Sequence, residues 1–252
     1  VELKRAYYHC KRCGASKVPL DEQLGLSGSR FSEGVIEEIS YCSAQLPFES
    51  ASEMMERLTG ISVSAKEAQI LSEGIGKEME DELKERAELA MTDGIDSTLR
   101  PKRLYMAIDG VMIREQDGWH EVKVASIYDT KEQVNAEGDK EEVADRVSYV
   151  GRRAGPEDFA GHVSAEAQSR GEEHAEEVIV LGDGAAWIWN MVDSYFPRAV
   201  QIIDWFHASE HVWGFGRVLY DGDEERCRAW VEEQLELLKD GKVEELIDRL
   251  DG

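Results

Sequence analysis

Two aspartates stand in nearly the same local setting, Asp109 in "AIDGV" and Asp183 in "LGDGA", each after an apolar run and each followed by glycine. The run Val178 to Leu181 entering Gly-Asp-Gly reads as a buried strand that stops at a turn. An acid at the carboxyl end of such a strand is a frequent site position in open α/β sheets, and an Asp-Gly turn is also ordinary loop chemistry. Two such carboxylates brought together supply the hard oxygen ligands that magnesium or manganese ions need, with room for water and phosphate oxygens. A third acid, Asp204 in "IIDWFHASEH", ends another apolar run, with His207 three residues on and His211 one helical turn further. Those three are a possible zinc set, and capping by Asp204 with packing by His207 is the alternative use. Near the start, Cys10-Lys-Arg-Cys13-Gly has the spacing by which two thiolates reach one zinc ion, and two unligated thiols fit it too. A structural zinc takes four ligands and Cys42 lies in helical sequence, so this is half a site whose other pair is expected ahead of Val1.

The elements that must position these groups change character along the chain. Residues 1–28 are the segment around the cysteine pair, where half a zinc site is expected. Residues 29–98 carry apolar residues at helical spacing (Val35, Ile36, Ile39, Met55, Leu58), broken at Thr59-Gly60-Ile61-Ser62. Helix, short glycine turn and second helix is the arrangement of a helix-turn-helix, and plain helical hairpins share it. The polar stretch 78–92 is expected as a solvated helix leading to a linker at "DGIDSTLRPKR". From Arg103 the period becomes that of strands: one ending near Asp109, a second from Trp119 to Asp129, an acidic insert over 131–145, and a third strand in "RVSYVGR". A helix follows from Pro156 to about Arg170, then a strand over 177–182, a helix over 185–195, a fifth strand and another helix. Three strands, helix, strand, helix, strand, helix is the ribonuclease H-like order. It predicts a mixed α/β sheet with flanking helices over 99–220 and puts Asp109 and Asp183 on neighbouring central strands. Residues 221–252 read as further helix. Trp187, Trp189, Trp205 and Trp213 are expected in the core or an interface.

The formal net charge of −24 argues against nucleic acid if taken by itself. An acidic surface suited to a salty cytoplasm, whose ions screen repulsion from phosphates, accommodates it. Basic islands persist: Lys4, Arg5, Lys11, Arg12 and Lys17 against the single Glu2, "RPKR" at 100–103, and "GRRAG" with Arg152 and Arg153. Arg152, Arg153 and Lys66 on the second helix of the turn motif are the expected DNA-binding cations. No apolar run reaches membrane length, no signal-like segment opens the chain, and four cysteines make no disulfide framework, so a cytoplasmic protein is expected. The start at Val1 and the end inside charged helical sequence suggest a piece of a longer protein.

The runs "LGDGAAWIWNMVDSYFPRAVQIIDWFHASEHVW", "AIDGVMI", "YYHCKRCG...PLDEQLGL" and "LPFESASEMMERLTGISVS" together resemble the Kra family of insertion-sequence transposases, within the broader Mutator-like group of DDE enzymes. The resemblance spans nearly the whole chain. It implies that Asp109 is the first catalytic acid, Asp183 the second, and Asp204-x-x-His207 the D-x-x-H motif that follows. It also implies a third acid, a glutamate, after a helical insertion that residues 222–252 would begin. That glutamate is expected beyond Gly252, leaving this stretch inactive alone. Cys10 and Cys13 match the latter half of the family's zinc ribbon. The implied activity is metal-dependent strand cleavage and strand transfer at element ends, performed by a homo-oligomer on DNA. A non-catalytic DNA-binding remnant, and a metal-dependent hydrolase using Asp204, His207 and His211, are the alternatives.

Overall fold

The glycine after Cys13 lets the chain reverse on itself: Gly14 N–H donates to Cys10 O and Cys10 N–H to Ala15 O, closing a ribbon of β1 (Tyr8–His9) and β2 (Ser16–Lys17). The computed structural model describes residues 4–24 and 30–251, so the junction expected at 28/29 lies outside the described residues. The chain divides into two compact units, 1–83 and 84–252.

In the first unit, α1 (Pro19–Gln23) is followed by α2 (Glu33–Gln45), α3 (Phe48–Thr59) and the start of α4 (Ala65–Thr92). Pro47 cannot continue α2 and instead precedes the first residue of α3. Gly60, at φ 72°, takes the left-handed conformation that ends α3. Four residues later Ser64 and Glu67 form a reciprocal capping box, Ser64 N–H and Oγ donating to Glu67 Oε2 and Glu67 N–H to Ser64 Oγ. These donors hold the Glu67 carboxyl below its usual range. Val63, inside the turn, is buried with Ile39, Ala51, Met55 and Ala68, which pins the two helices to α2. Cys42 packs against this cluster.

In the second unit, β3 (Arg103–Glu115), β4 (Gly118–Val134), β5 (Lys140–Arg152), β6 (Glu177–Gly182) and β7 (Val200–Ile203) form one mixed sheet in the order β5-β4-β3-β6-β7. The first three pair antiparallel, whereas β3 with β6 and β6 with β7 are parallel. Helices α5 (Pro156–Ser169) and α6 (Ala186–Tyr195) flank the sheet. Leu104, Met106, Ile108, Ile127, Val178 and Val180 bury against Phe159 and Val163 of α5 and Ile188 and Val192 of α6. The period of two puts Tyr105, Ala107 and Asp109 on the other face. Trp187 and Trp189 pack on this core. Beyond β7, α7 (Trp205–Leu219), α8 (Glu224–Lys239) and α9 (Val243–Asp251) follow; Val212, Cys227 and Val231 form a small core with Trp213 against it. Among the described residues no helix is long and apolar enough to cross a membrane.

Three expectations are corrected. β3 does not end near Asp109 but runs to Glu115, paired with β4 to its hairpin. Its parallel neighbour stops at Gly182, so beyond Ile108 the strand is a two-stranded ribbon with Val111, Met112 and Ile113 exposed, which in sequence looks like a strand end. The acidic insert over 131–145 is instead an extension of the β4–β5 hairpin, paired out to Val134 and Lys140. Cross-strand Lys131–Asp145 (2.5 Å) and Lys140–Glu132 (2.7 Å) pairs stand in for an apolar pattern there, and a bulge near Arg146 shifts the register. Finally, the end of α4 and the linker after it are not simply solvated. Ala87 and Ala90 are buried, and Gly161 of α5 is so near Ala87 that an added Cβ would stand 3.4 Å from its methyl. Gln168 Nε2 donates to Ala90 O, Gln168 Oε1 accepts from Ile95 N–H, and Ser97 Oγ donates to Ser169 O. Small side chains make this close approach, and a hydropathy pattern does not register them.

Candidate functional site

Parallel pairing sets Ile108 beside Gly182 and Gly182 beside Ile203. The residue after each of these is an aspartate: Asp109 within β3, Asp183 just past β6 and Asp204 just past β7, the last tied to β6 by its N–H to Gly182 O (2.8 Å). Three acids therefore follow one row across three adjacent strands, whose spacing is roughly 4.8 Å. All three line a single cleft of about 500 Å³, with His207, Ser126 and Tyr149.

Each carboxylate is anchored through one oxygen. Asp109 Oδ1 accepts from Gly110 N–H (2.7 Å), Asp183 Oδ1 from Ala185 N–H (2.8 Å), and Asp204 Oδ1 from Phe206 and His207 N–H (2.8 and 3.3 Å). Asp204 thus caps α7, the alternative use left open for it, and also reaches the cleft. Ion pairs of the sheet such as Arg103–Glu177, Lys123–Glu121 and Arg153–Glu115 engage other acids. Carboxylates lining one cleft offer it several hard oxygens. Anchored aspartates with a second oxygen left over suit magnesium or manganese rather than a soft metal.

The alternative zinc set does not assemble: His207 lines the cleft, whereas His211 is exposed and outside it. Among the described residues, the one trio of ligand atoms within 4.8 Å of one another is Glu115, Asp117 and His120, by the β3–β4 turn. Arg153 already supplies a cation there, donating to Glu115 Oε2 (2.6 Å) and contacting His120 Nδ1 (3.0 Å). The His120 contact, with help from Arg153, holds the Asp117 carboxyl below its usual range. Of the expected DNA-binding cations, Arg153 is thus engaged, Arg152 lies 3.2 Å from His162 Nδ1 of α5, and neither lines the cleft. Lys66 is exposed in the first turn of α4, with Nζ 3.1 Å from Gln69 Oε1.

Sequence reasoning passed over Lys123. It is only 5% exposed, its Nζ lies 2.5 Å from Glu121 Oε2 and 4.7 Å from the Trp187 ring. A Cβ on Gly110 would stand 2.5 Å from Glu121 Oε1, so the glycine after Asp109 leaves space for the carboxylate that pairs with this buried ammonium. The glycine before Asp183 has a similar reason: a Cβ on Gly182 would meet Ile188 Cγ2 at 3.1 Å and Trp189 Cη2 at 3.3 Å. The only sequence signal for Lys123 was its place at an alternating core position of β4, between Glu121 and Ala125.

Cys10 and Cys13 are exposed, whereas Cys42 packs against the helical cluster. The Cys13 and Arg12 N–H groups point at the Cys10 sulfur and hold its pKa below the ordinary thiol value. A depressed thiol pKa means thiolate persists at lower pH, so Cys10 is expected to react with iodoacetamide near neutral pH faster than Cys42 or the buried Cys227. Peptide mass spectrometry of a timed alkylation measures this; equal rates at Cys10 and Cys42 would contradict it.

The chain belongs to the uncharacterised protein family UPF0236, which it matches over residues 1–250. No curated protein matches it.

Proposed function

We propose that this UPF0236 member is a DDE transposase resembling the Kra insertion-sequence family, with a ribonuclease H-like catalytic sheet that cuts and joins DNA at element ends. The observation that carries this reading is the row of Asp109, Asp183 and Asp204 along one cleft. Asp109 and Asp183 would hold the metal, each keeping a carboxylate oxygen that Gly110 or Ala185 N–H does not take. A bound magnesium or manganese ion supplies Lewis acidity to the phosphodiester and lowers the pKa of the attacking hydroxyl. Asp204 fixes the start of α7, so that His207 presents its ring to the cleft, where it contacts the scissile phosphate. Its place in the same row also gives Asp204 a share in metal binding. The resemblance implies a third acid, a glutamate, after the helical insertion that α8 and α9 would begin.

DNA recognition falls to the first unit. The tight α3–turn–α4 connection with a capped second helix supports a helix-turn-helix, and Lys66 stands where such a helix meets phosphates. Cys10 and Cys13, with the thiol of Cys10 predisposed to ionise, serve as half of a structural zinc site. The same reading makes the protein a cytoplasmic homo-oligomer on DNA, its acidic surface suited to a salty interior.

Metal binding is testable without DNA. Titration with Mn2+ should broaden the NMR signals of residues around the cleft, Ser126 and His207 among them, and leave those of the first unit sharp. In the Asp109→Asn/Asp183→Asn double variant the broadening should disappear. Undiminished broadening at these residues in the double variant would refute the assignment.

A further inference from the structure

Within the first unit, α2 and α4 border a groove of about 890 Å³, closed at one side by Phe48 of α3. Its apolar side chains are unusually open for their size: Tyr41 is 70% and Met79 57% exposed. Gly76 lies in the lining, in the interior of a helix, and Gly74 is two residues before it. Glycine is disfavoured in a helix interior relative to alanine. Neither is required by packing within the chain, since a Cβ at either would meet nothing within 4 Å. Bare backbone here leaves space for something other than this chain.

The groove also selects what enters. Both walls are helices whose backbone groups bond internally, so they offer no ladder to an extended peptide, and an incoming segment must satisfy its own backbone. Glu33, Glu37 and Glu78 border the apolar strip. Those acids favour a cationic occupant over phosphate on this face. We infer that the α2–α4 groove is a docking site for an amphipathic helix of a partner protein, with apolar anchors along one face and lysine or arginine on its flanks. The close approach such a helix needs is provided at Gly76 and Ala44.

The test uses a fluorescent synthetic helix with leucine on one face and lysine on the other, titrated into the chain and followed by anisotropy. Saturable one-site binding is expected, weakened about tenfold or more by Glu37→Lys/Glu78→Lys, since each tenfold step needs only about 1.4 kcal/mol. Gly76→Leu should weaken it comparably by filling the groove, and because it replaces a helical glycine facing open space it should leave the circular dichroism unchanged. Glu137→Lys/Glu141→Lys changes the net charge equally in the β4–β5 hairpin and should leave binding intact. Equal loss in this second pair would reduce the effect to general attraction to an acidic protein and overturn the proposal. So would binding indifferent to Gly76→Leu, or a dimer in sedimentation that Gly76→Leu dissolves, which would make the occupant a second copy of the chain.

Discussion

In the full-length protein, Asp109→Asn and Asp183→Asn should each lower metal-dependent DNA cleavage by roughly a thousandfold or more while DNA binding persists. The substitution is close to a pure test of charge, because Asn retains the Oδ1 that accepts from Gly110 N–H at one site and Ala185 N–H at the other. What changes is the second oxygen, which becomes an amide that cannot ligate a hard cation in the same way. A metal ion contributes several kcal/mol to a phosphoryl transition state, and losing about 4 kcal/mol of that corresponds to roughly a thousandfold in rate. Binding is assigned to the first unit and chemistry to the sheet, so the two readouts should separate. His207→Ala is expected to reduce cleavage less, since its ring is not assigned to the metal. Cleavage of supercoiled and end-containing DNA, beside gel-shift affinity, measures both quantities. Wild-type rates in both aspartate variants would remove these residues from catalysis.

The largest loss of stability is expected at Gly171→Ala. Gly171 has φ +83°, and a Cβ there would stand 2.5 Å from Leu99 O and 3.0 Å from its carbonyl carbon. The left-handed conformation alone costs alanine about 1–2 kcal/mol. The contact adds about 1–3 kcal/mol more, because the atoms met are backbone and cannot rotate away. The residues that would have to move are the strap after α4, held by Ser97 Oγ to Ser169 O and by Ile95 N–H to Gln168 Oε1. Gly138→Ala is the matched control, since Gly138 has a similar φ of +91° with nothing within 4 Å of its Cβ position. Urea unfolding should give Gly171→Ala a midpoint well below that of Gly138→Ala, itself slightly below wild type. Equal midpoints for the two variants would mean that the strap does not resist the methyl.

Legibility in the sequence followed the range of the forces involved. The Gly60 break and the mixed sheet with flanking helices were readable because a cap, a turn and a period of 3.6 or 2 are written in residues a few places apart. Asp109 and Asp183 were singled out by that same reading, as acids beside glycine near strand ends. Capping by Asp204 was one of two uses open to it in the sequence, because a cap needs only the N–H groups two and three residues on.

Tertiary structure decided the rest. That Asp204 continues the row begun by Asp109 and Asp183 depends on Ile108, Gly182 and Ile203 falling in register, and a slip of one residue would turn every side chain to the opposite face. The reason for Gly110 is Glu121 on the neighbouring strand, the partner of Arg153 is the far turn of the β3–β4 hairpin, and Ala87 meets its reason only in Gly161. None of these pairs shares a sequence window. Their positions are selected by which apolar faces bury together, a choice made by the whole core at once, so the sequence determines the local elements and names the acids, while packing between distant strands determines that they share one cleft.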